Sequence, residues 1–125
     1  EEASRRPIGG YSLGMRQRLG IASVLAGNPR NIVLDEPLNG LDIQGVWWLR
    51  ELLAAWAEEG RCVIVASHHL REVEATTEVA DASVTILSQG TALAHGSLED
   101  VIASTGAPDL ESAVAALIPE LGARA

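Results

Sequence analysis

The sequence predicts an α/β fold built on a parallel sheet with flanking helices, and three observations carry the prediction. A short apolar strand, Ile32-Val33-Leu34, ends in the adjacent carboxylates Asp35-Glu36. An amphipathic stretch over residues 43–59 follows, and then a second apolar run, Cys62–Ala66, rich in β-branched residues. Two such strands joined by one long helix make a βαβ unit, which within a single sheet is parallel and right-handed.

The elements follow in order. Residues 1–10 are polar, with Pro7 and the pair Gly9-Gly10, and read as a loop. Residues 15–26 form a helix of small residues, with Met15, Leu19, Ala22, Val24 and Leu25 as its apolar positions. Gly27-Asn28-Pro29 stops it, glycine at the end and proline just past it. In the helix over residues 43–59, Val46, Leu49, Leu53 and Trp56 share one face, and Gly60 ends it. The unbroken apolar run Cys62–Ala66 predicts a strand covered on both faces. A shorter helix over residues 70–78 turns Leu70 and Val73 inward. Residues 84–87 and 91–94, joined by Ser88-Gln89-Gly90, read as a β-hairpin. Ser97 with Asp100 marks a helix start carrying Leu98, Val101 and Ile102, and a last helix lies around Leu110–Leu117, ended near Pro119.

Composition narrows the function. The chain has 125 residues, 47% of them hydrophobic, which suits one globular domain. Phenylalanine is absent, so aliphatic residues fill most of the core. A formal charge of −8 excludes an extended nucleic-acid contact, which needs lysine and arginine against phosphates. The single cysteine, Cys62, has no partner for an internal disulfide, and a reducing, cytoplasmic setting is expected. No apolar run approaches the about 20 residues a membrane span requires.

The candidate chemistry lies where the strands end. Asp35 and Glu36 stand at the carboxyl rim of a parallel sheet, where such folds bind ligands, so one carboxylate can serve a magnesium ion and the other a water. Val65-Ala66-Ser67-His68 brings a histidine to the end of the next strand. Ser12 and Gly14 open a helix whose unpaired N–H groups face an anion. Asp42 precedes the helix that begins at Ile43 and suits its N-cap. His95, in the hairpin, reads as structural.

Tyr11-Ser12-Leu13-Gly14-Met15-Arg16-Gln17-Arg18-Leu19, then Asn31-Ile32-Val33-Leu34-Asp35-Glu36-Pro37 with Leu38-Asn39-Gly40-Leu41-Asp42, then Val65-Ala66-Ser67-His68 are three motifs in order. Together they resemble the signature loop, Walker B strand and switch histidine of an ATP-binding cassette (ABC) ATPase. The Tyr-Ser-Leu-Gly-Met form resembles that of bacterial drug- and antibiotic-exporting members. The resemblance covers residues 11–101. Leu13 and Met15 depart from the commoner signature, Leu38 from the small hydroxyl residue usual after Walker B, and His69 from an apolar residue.

The resemblance implies a partial P-loop NTPase-like fold and a cofactor pair of ATP and Mg2+. By the same resemblance Asp35 binds the metal through a coordinated water, Glu36 orients and deprotonates the attacking water, and His68 contacts the γ-phosphate. Ser12 and Gly14 close over ATP held by a partner subunit, and Asp42 contacts the dimer seam. The chain contains no lysine, so no phosphate-loop lysine comes from it. Since it also opens on Glu1, the expectation is the C-terminal half of a longer ATPase. Residues 1–30 would supply the signature loop and its helix, residues 31–104 the core and hairpin, and residues 105–125 a tail.

The function so implied is the ATP-hydrolysing subunit of an ABC transporter that exports a drug, antibiotic or lipid-like compound. Two such subunits, identical or different, would pair beneath a separate transmembrane permease at the inner face of the cell membrane. Taken alone this chain is expected to be inactive and poorly stable, with the phosphate-loop strand missing from beside Walker B. Two other readings stay open: a truncated, non-hydrolysing chain that lends its signature loop to a partner, and a soluble ABC ATPase with no part in transport.

Overall fold

In the computed structural model the described residues are 5–119. They fall into two compact units, Glu1–His68 and His69–Ala125. Each contains a two-stranded sheet and its own apolar cluster. The start of the polar loop, residues 1–4, and the end of the tail, residues 120–125, lie outside the described residues.

In the first unit a short 3-10 turn, Ile8–Gly10, leads into helix α1, Leu13–Ala26. The helix starts at Leu13 rather than Met15 because the Ser12 hydroxyl accepts from the Met15 N–H at 3.2 Å and so caps the first turn. Its buried residue is Ile21, with Leu25 packed beside it. Leu19, Ala22 and Val24, apolar as well, are exposed. A helix with apolar residues on several sides has no single stripe by which the sequence can mark the inner one.

Strand β1, Asn31–Asp35, alternates cleanly: Ile32 and Leu34 are buried, and Asn31, Val33 and Asp35 are exposed. Helix α2, Ile43–Glu58, covers the buried side with Leu49, Leu53 and Trp56, which join Ile21, Ile32 and Leu34 in one cluster. Gly60 adopts φ +83°, a left-handed turn that costs glycine little and lets the chain reverse into the next strand. Strand β2, Cys62–Ala66, pairs parallel with β1, from Asn31 opposite Cys62 to Asp35 opposite Ala66. The βαβ unit is therefore as the hydrophobic pattern predicts.

The double coverage expected of β2 is not found. Cys62, Ile64, Val65 and Ala66 are exposed and Val63 is half-buried. Val33 and Ile64, opposite one another in the register, are 71% and 58% exposed, so one face of this sheet is bare among the described residues. An apolar run reports what a strand is suited to contact, and here helix α2 supplies cover on one side.

The second unit begins with helix α3, Leu70–Ala80, followed by strands β3, Ser83–Ser88, and β4, Thr91–Ser97, paired antiparallel. Gln89 and Gly90, at φ +48° and +77°, close the hairpin as a two-residue turn of the primed kind that matches strand twist. The register shifts between Ile86 and Leu87, where a bulge lets Leu93 pass unpaired. His95 and the Thr85 hydroxyl lie 2.7 Å apart across the strands, a structural contact.

Helices α4, Leu98–Thr105, and α5, Leu110–Leu117, complete the unit, capped by Ser97 and Asp109. Val84, Ile86, Val101, Leu110 and Val114 make its core, with Leu70 and Val73 of α3 packed against them. Among the described residues no helix is long and apolar enough to cross a membrane.

Candidate functional site

Glu36 and His68 meet because β1 and β2 run in register and end together. The last ladder pair is Asp35 with Ala66, and one step further the Glu36 N–H donates to the Ala66 carbonyl at 2.8 Å. Glu36 then leaves the strand direction with φ +47°, a left-handed conformation that costs a non-glycine residue about 1–2 kcal/mol. That bend carries its carboxylate across to β2. Glu36 Oε1 accepts from the His68 backbone N–H at 3.0 Å and lies 2.6 Å from His68 Nδ1.

An ionised carboxylate only accepts, so Nδ1 carries the shared hydrogen and Nε2 is the acceptor in the neutral ring. The histidine side chain is 72% exposed and the glutamate side chain 27%. The pair thus opens to solvent from the histidine side, as a group that meets a ligand must. Asp35, the last residue of β1, is exposed at the same strand end.

The chain after Glu36 folds tightly. Asn39 N–H donates to the Glu36 carbonyl at 3.2 Å, and Leu41 N–H to the Leu38 carbonyl at 3.2 Å. Gly40 takes φ +77°, and a Cβ placed there would sit 2.5 Å from Leu13 Cγ. A Cβ on Gly14 would sit 2.8 Å from the Gly40 carbonyl oxygen. The first turn of α1 and the loop after β1 therefore touch through two glycines, and Leu13 fits over the second.

Asp42 ends the loop as the N-cap of α2, its Oδ1 accepting from the Gly45 N–H at 2.8 Å. The Arg18 guanidinium lies 3.9 Å from the same oxygen and 5.4 Å from the centre of the Trp48 ring. Ser12 and Gly14 stand in the first turn of α1, the serine hydroxyl engaged in its own cap.

Of the residues singled out in the sequence, the fold joins Glu36 to His68, sets Asp35 beside them on β1, and brings Gly14 against the loop that ends at Asp42. Sequence reasoning missed Gln17. Its side-chain amide donates to the carbonyls of Glu36 and Asn39, at 3.1 and 3.3 Å. Nothing in a lone amide on a helix signals contacts 19 and 22 residues away.

The donor set suits part of an ATP and magnesium site. Asp35 and Glu36 offer hard carboxylate oxygens at the carboxyl end of parallel strands, where Mg2+ and phosphates are bound. No residue in the chain can act as the phosphate-loop lysine, because the chain has none.

The α/β fold, with its parallel strand pair and flanking helix, fits a partial P-loop NTPase-like fold of the kind found in ABC ATPases. No family model matches the chain. Its homologues are ABC transporter ATP-binding proteins. The lantibiotic transport ATP-binding protein SrtF of Streptococcus pyogenes is 49% identical over 70 residues, covering 56% of this chain and 31% of SrtF. The uncharacterized ABC transporter ATP-binding protein YcbN of Bacillus subtilis is 37% identical over 102 residues, 81% of this chain and 32% of YcbN. The bacitracin transport ATP-binding protein BcrA of Enterococcus faecalis is 42% identical over 76 residues, 60% of this chain and 25% of BcrA. The chain spans about a third or less of the length of these relatives.

Proposed function

We propose that this chain is part of the ATP-hydrolysing subunit of an ABC transporter, its phosphate loop lying in a longer parent protein. The observation that carries the reading is the Glu36–His68 contact of 2.6 Å at the shared end of two parallel strands. Bound Mg2+ would neutralise phosphate charge, and Asp35 is the residue to hold it. Glu36 orients a water and takes its proton, the role a carboxylate at this rim suits. His68, fixed through Nδ1, presents its ring toward the position of a γ-phosphate.

Ser12 and Gly14, at the N-terminus of α1, face the nucleotide of a second subunit, and Asp42 lies at the seam between the two. In this reading residues 1–30 hold the signature elements, residues 31–104 the core, and residues 105–125 a tail. The subunits work at the inner face of the membrane under a separate permease. Export of a drug, antibiotic or lipid-like compound is favoured by the lantibiotic and bacitracin transport named for SrtF and BcrA.

The absence of lysine favours one second reading for these residues taken alone, that of a signature loop lent to a complete partner. Steady-state ATP hydrolysis by the parent protein tests the choice. The expected result is turnover in the wild type, and a loss of at least about a hundredfold in both Glu36→Gln and His68→Ala. Normal turnover in Glu36→Gln, or none in the wild type, contradicts the reading.

A further inference from the structure

We propose that Gln17 is a positioning residue for the catalytic glutamate, holding Glu36 in its left-handed backbone conformation from helix α1. The proposal rests on the ATPase reading and adds a residue to it.

Glu36 is strained at φ +47° and must be restrained to stay there. Its N–H is fixed by the Ala66 carbonyl at 2.8 Å and its carboxylate by His68. Its carbonyl accepts from the Asn39 N–H of the local turn at 3.2 Å. Gln17 adds an anchor from another element, helix α1.

A primary amide nitrogen has two hydrogens, and here each meets a carbonyl, of Glu36 at 3.1 Å and of Asn39 at 3.3 Å. The orientation follows from chemistry, because the amide oxygen turned toward two carbonyl oxygens would be repelled. The side chain is half-buried, which shields both bonds from competing water. By spanning the turn it clamps the Glu36 and Asn39 peptides in one geometry. The clamp begins on α1, whose first turn contains Ser12 and Gly14 and abuts Gly40. The helix that opens with the signature residues is thereby tied to the backbone of the glutamate.

The test uses the parent protein carrying Gln17→Met, which keeps length and removes both donors, and Gln17→Lys, which restores a donor without the amide. Thermal midpoint, kcat and KM for ATP are measured beside wild type and Glu36→Gln. Gln17→Met is expected to lower kcat about ten- to a hundredfold, the penalty of a misplaced catalytic group, with KM within about twofold and Gln17→Lys recovering most of the rate. In a Glu36→Gln background, Gln17→Met is expected to add no further loss, since it acts through Glu36.

Wild-type kcat in Gln17→Met beside an inactive Glu36→Gln overturns the proposal and leaves the ATPase reading standing. A loss that Gln17→Lys does not recover, or one that tracks a lowered thermal midpoint, also overturns it in favour of a purely structural role. An inactive wild type or an active Glu36→Gln overturns both.

Discussion

Glu36 and Gly40 lie four positions apart in one loop, both with positive φ, and only one of them is the residue type that conformation favours. At Gly40 the backbone and the neighbours agree, since a Cβ would strike Leu13 at 2.5 Å. Gly40→Ala in the parent protein is therefore expected to destabilise by about 2–3 kcal/mol, read as a lowered thermal midpoint. Gly60, at φ +83° with open space around it, isolates the backbone part of that effect. Gly60→Ala is expected to be milder, at about 1 kcal/mol. Equal shifts in the two variants would show that Leu13 does not pack on Gly40 as described. At this scale the placing of Glu36 and His68 at strand ends was legible, because each stands two residues beyond the last apolar residue of a run, and the parallel register brings the two ends together. Gln17 was not, because its meaning depends on the fold bringing a distant turn beneath α1.

Among the elements, capping was legible and facing was only partly so. Ser97 three residues before Asp100 announced α4, and the bond from Asp100 N–H to the Ser97 hydroxyl at 3.1 Å is there. Ser12 plays the same part for α1, and Ser12→Ala is expected to cost about 1 kcal/mol of stability beyond any effect on nucleotide binding. Unchanged stability in Ser12→Ala would contradict the cap. The inner face of α2 was readable because four apolar residues recur on one stripe, whereas α1 buries Ile21 among neighbours equally apolar.

Helix α5 adds a pH dependence. The Ser112 N–H and hydroxyl donate to Asp109 and hold its carboxyl below the ordinary aspartate range; desolvation opposes them, and Arg71 adds a lesser lowering effect. A carboxyl whose pKa is depressed by folding adds stability above its unfolded pKa, and that stability is lost as pH falls through the folded value. Protection of α5 amides from hydrogen exchange should accordingly weaken as the pH drops below about 4. Asp109→Asn, which keeps an acceptor oxygen and does not titrate, should flatten that dependence. An acid limb unchanged in Asp109→Asn would assign it to other carboxylates.

For the whole molecule the decisive features are what these residues contain and what they leave uncovered. The order of strands and helices was legible because hydrophobic period and glycine stops mark each element. The bare sheet face was not, because an apolar strand reads alike whether or not a neighbour covers it. Val33 and Ile64 expose that face, and a two-stranded sheet alone is marginally stable. The isolated 125-residue chain is expected to hydrolyse no ATP and to unfold at low temperature without a sharp transition. A cooperative transition at high temperature in the purified chain would contradict this.

The central claim is that Glu36 activates the water that attacks ATP. It is tested most directly by incubating the parent protein with Mg-ATP, separating it from free nucleotide, and identifying what remains bound. The account predicts ADP on the wild type and intact ATP on Glu36→Gln. ADP on both would contradict the role assigned to Glu36, and intact ATP on both would mean that the wild type binds nucleotide without hydrolysing it.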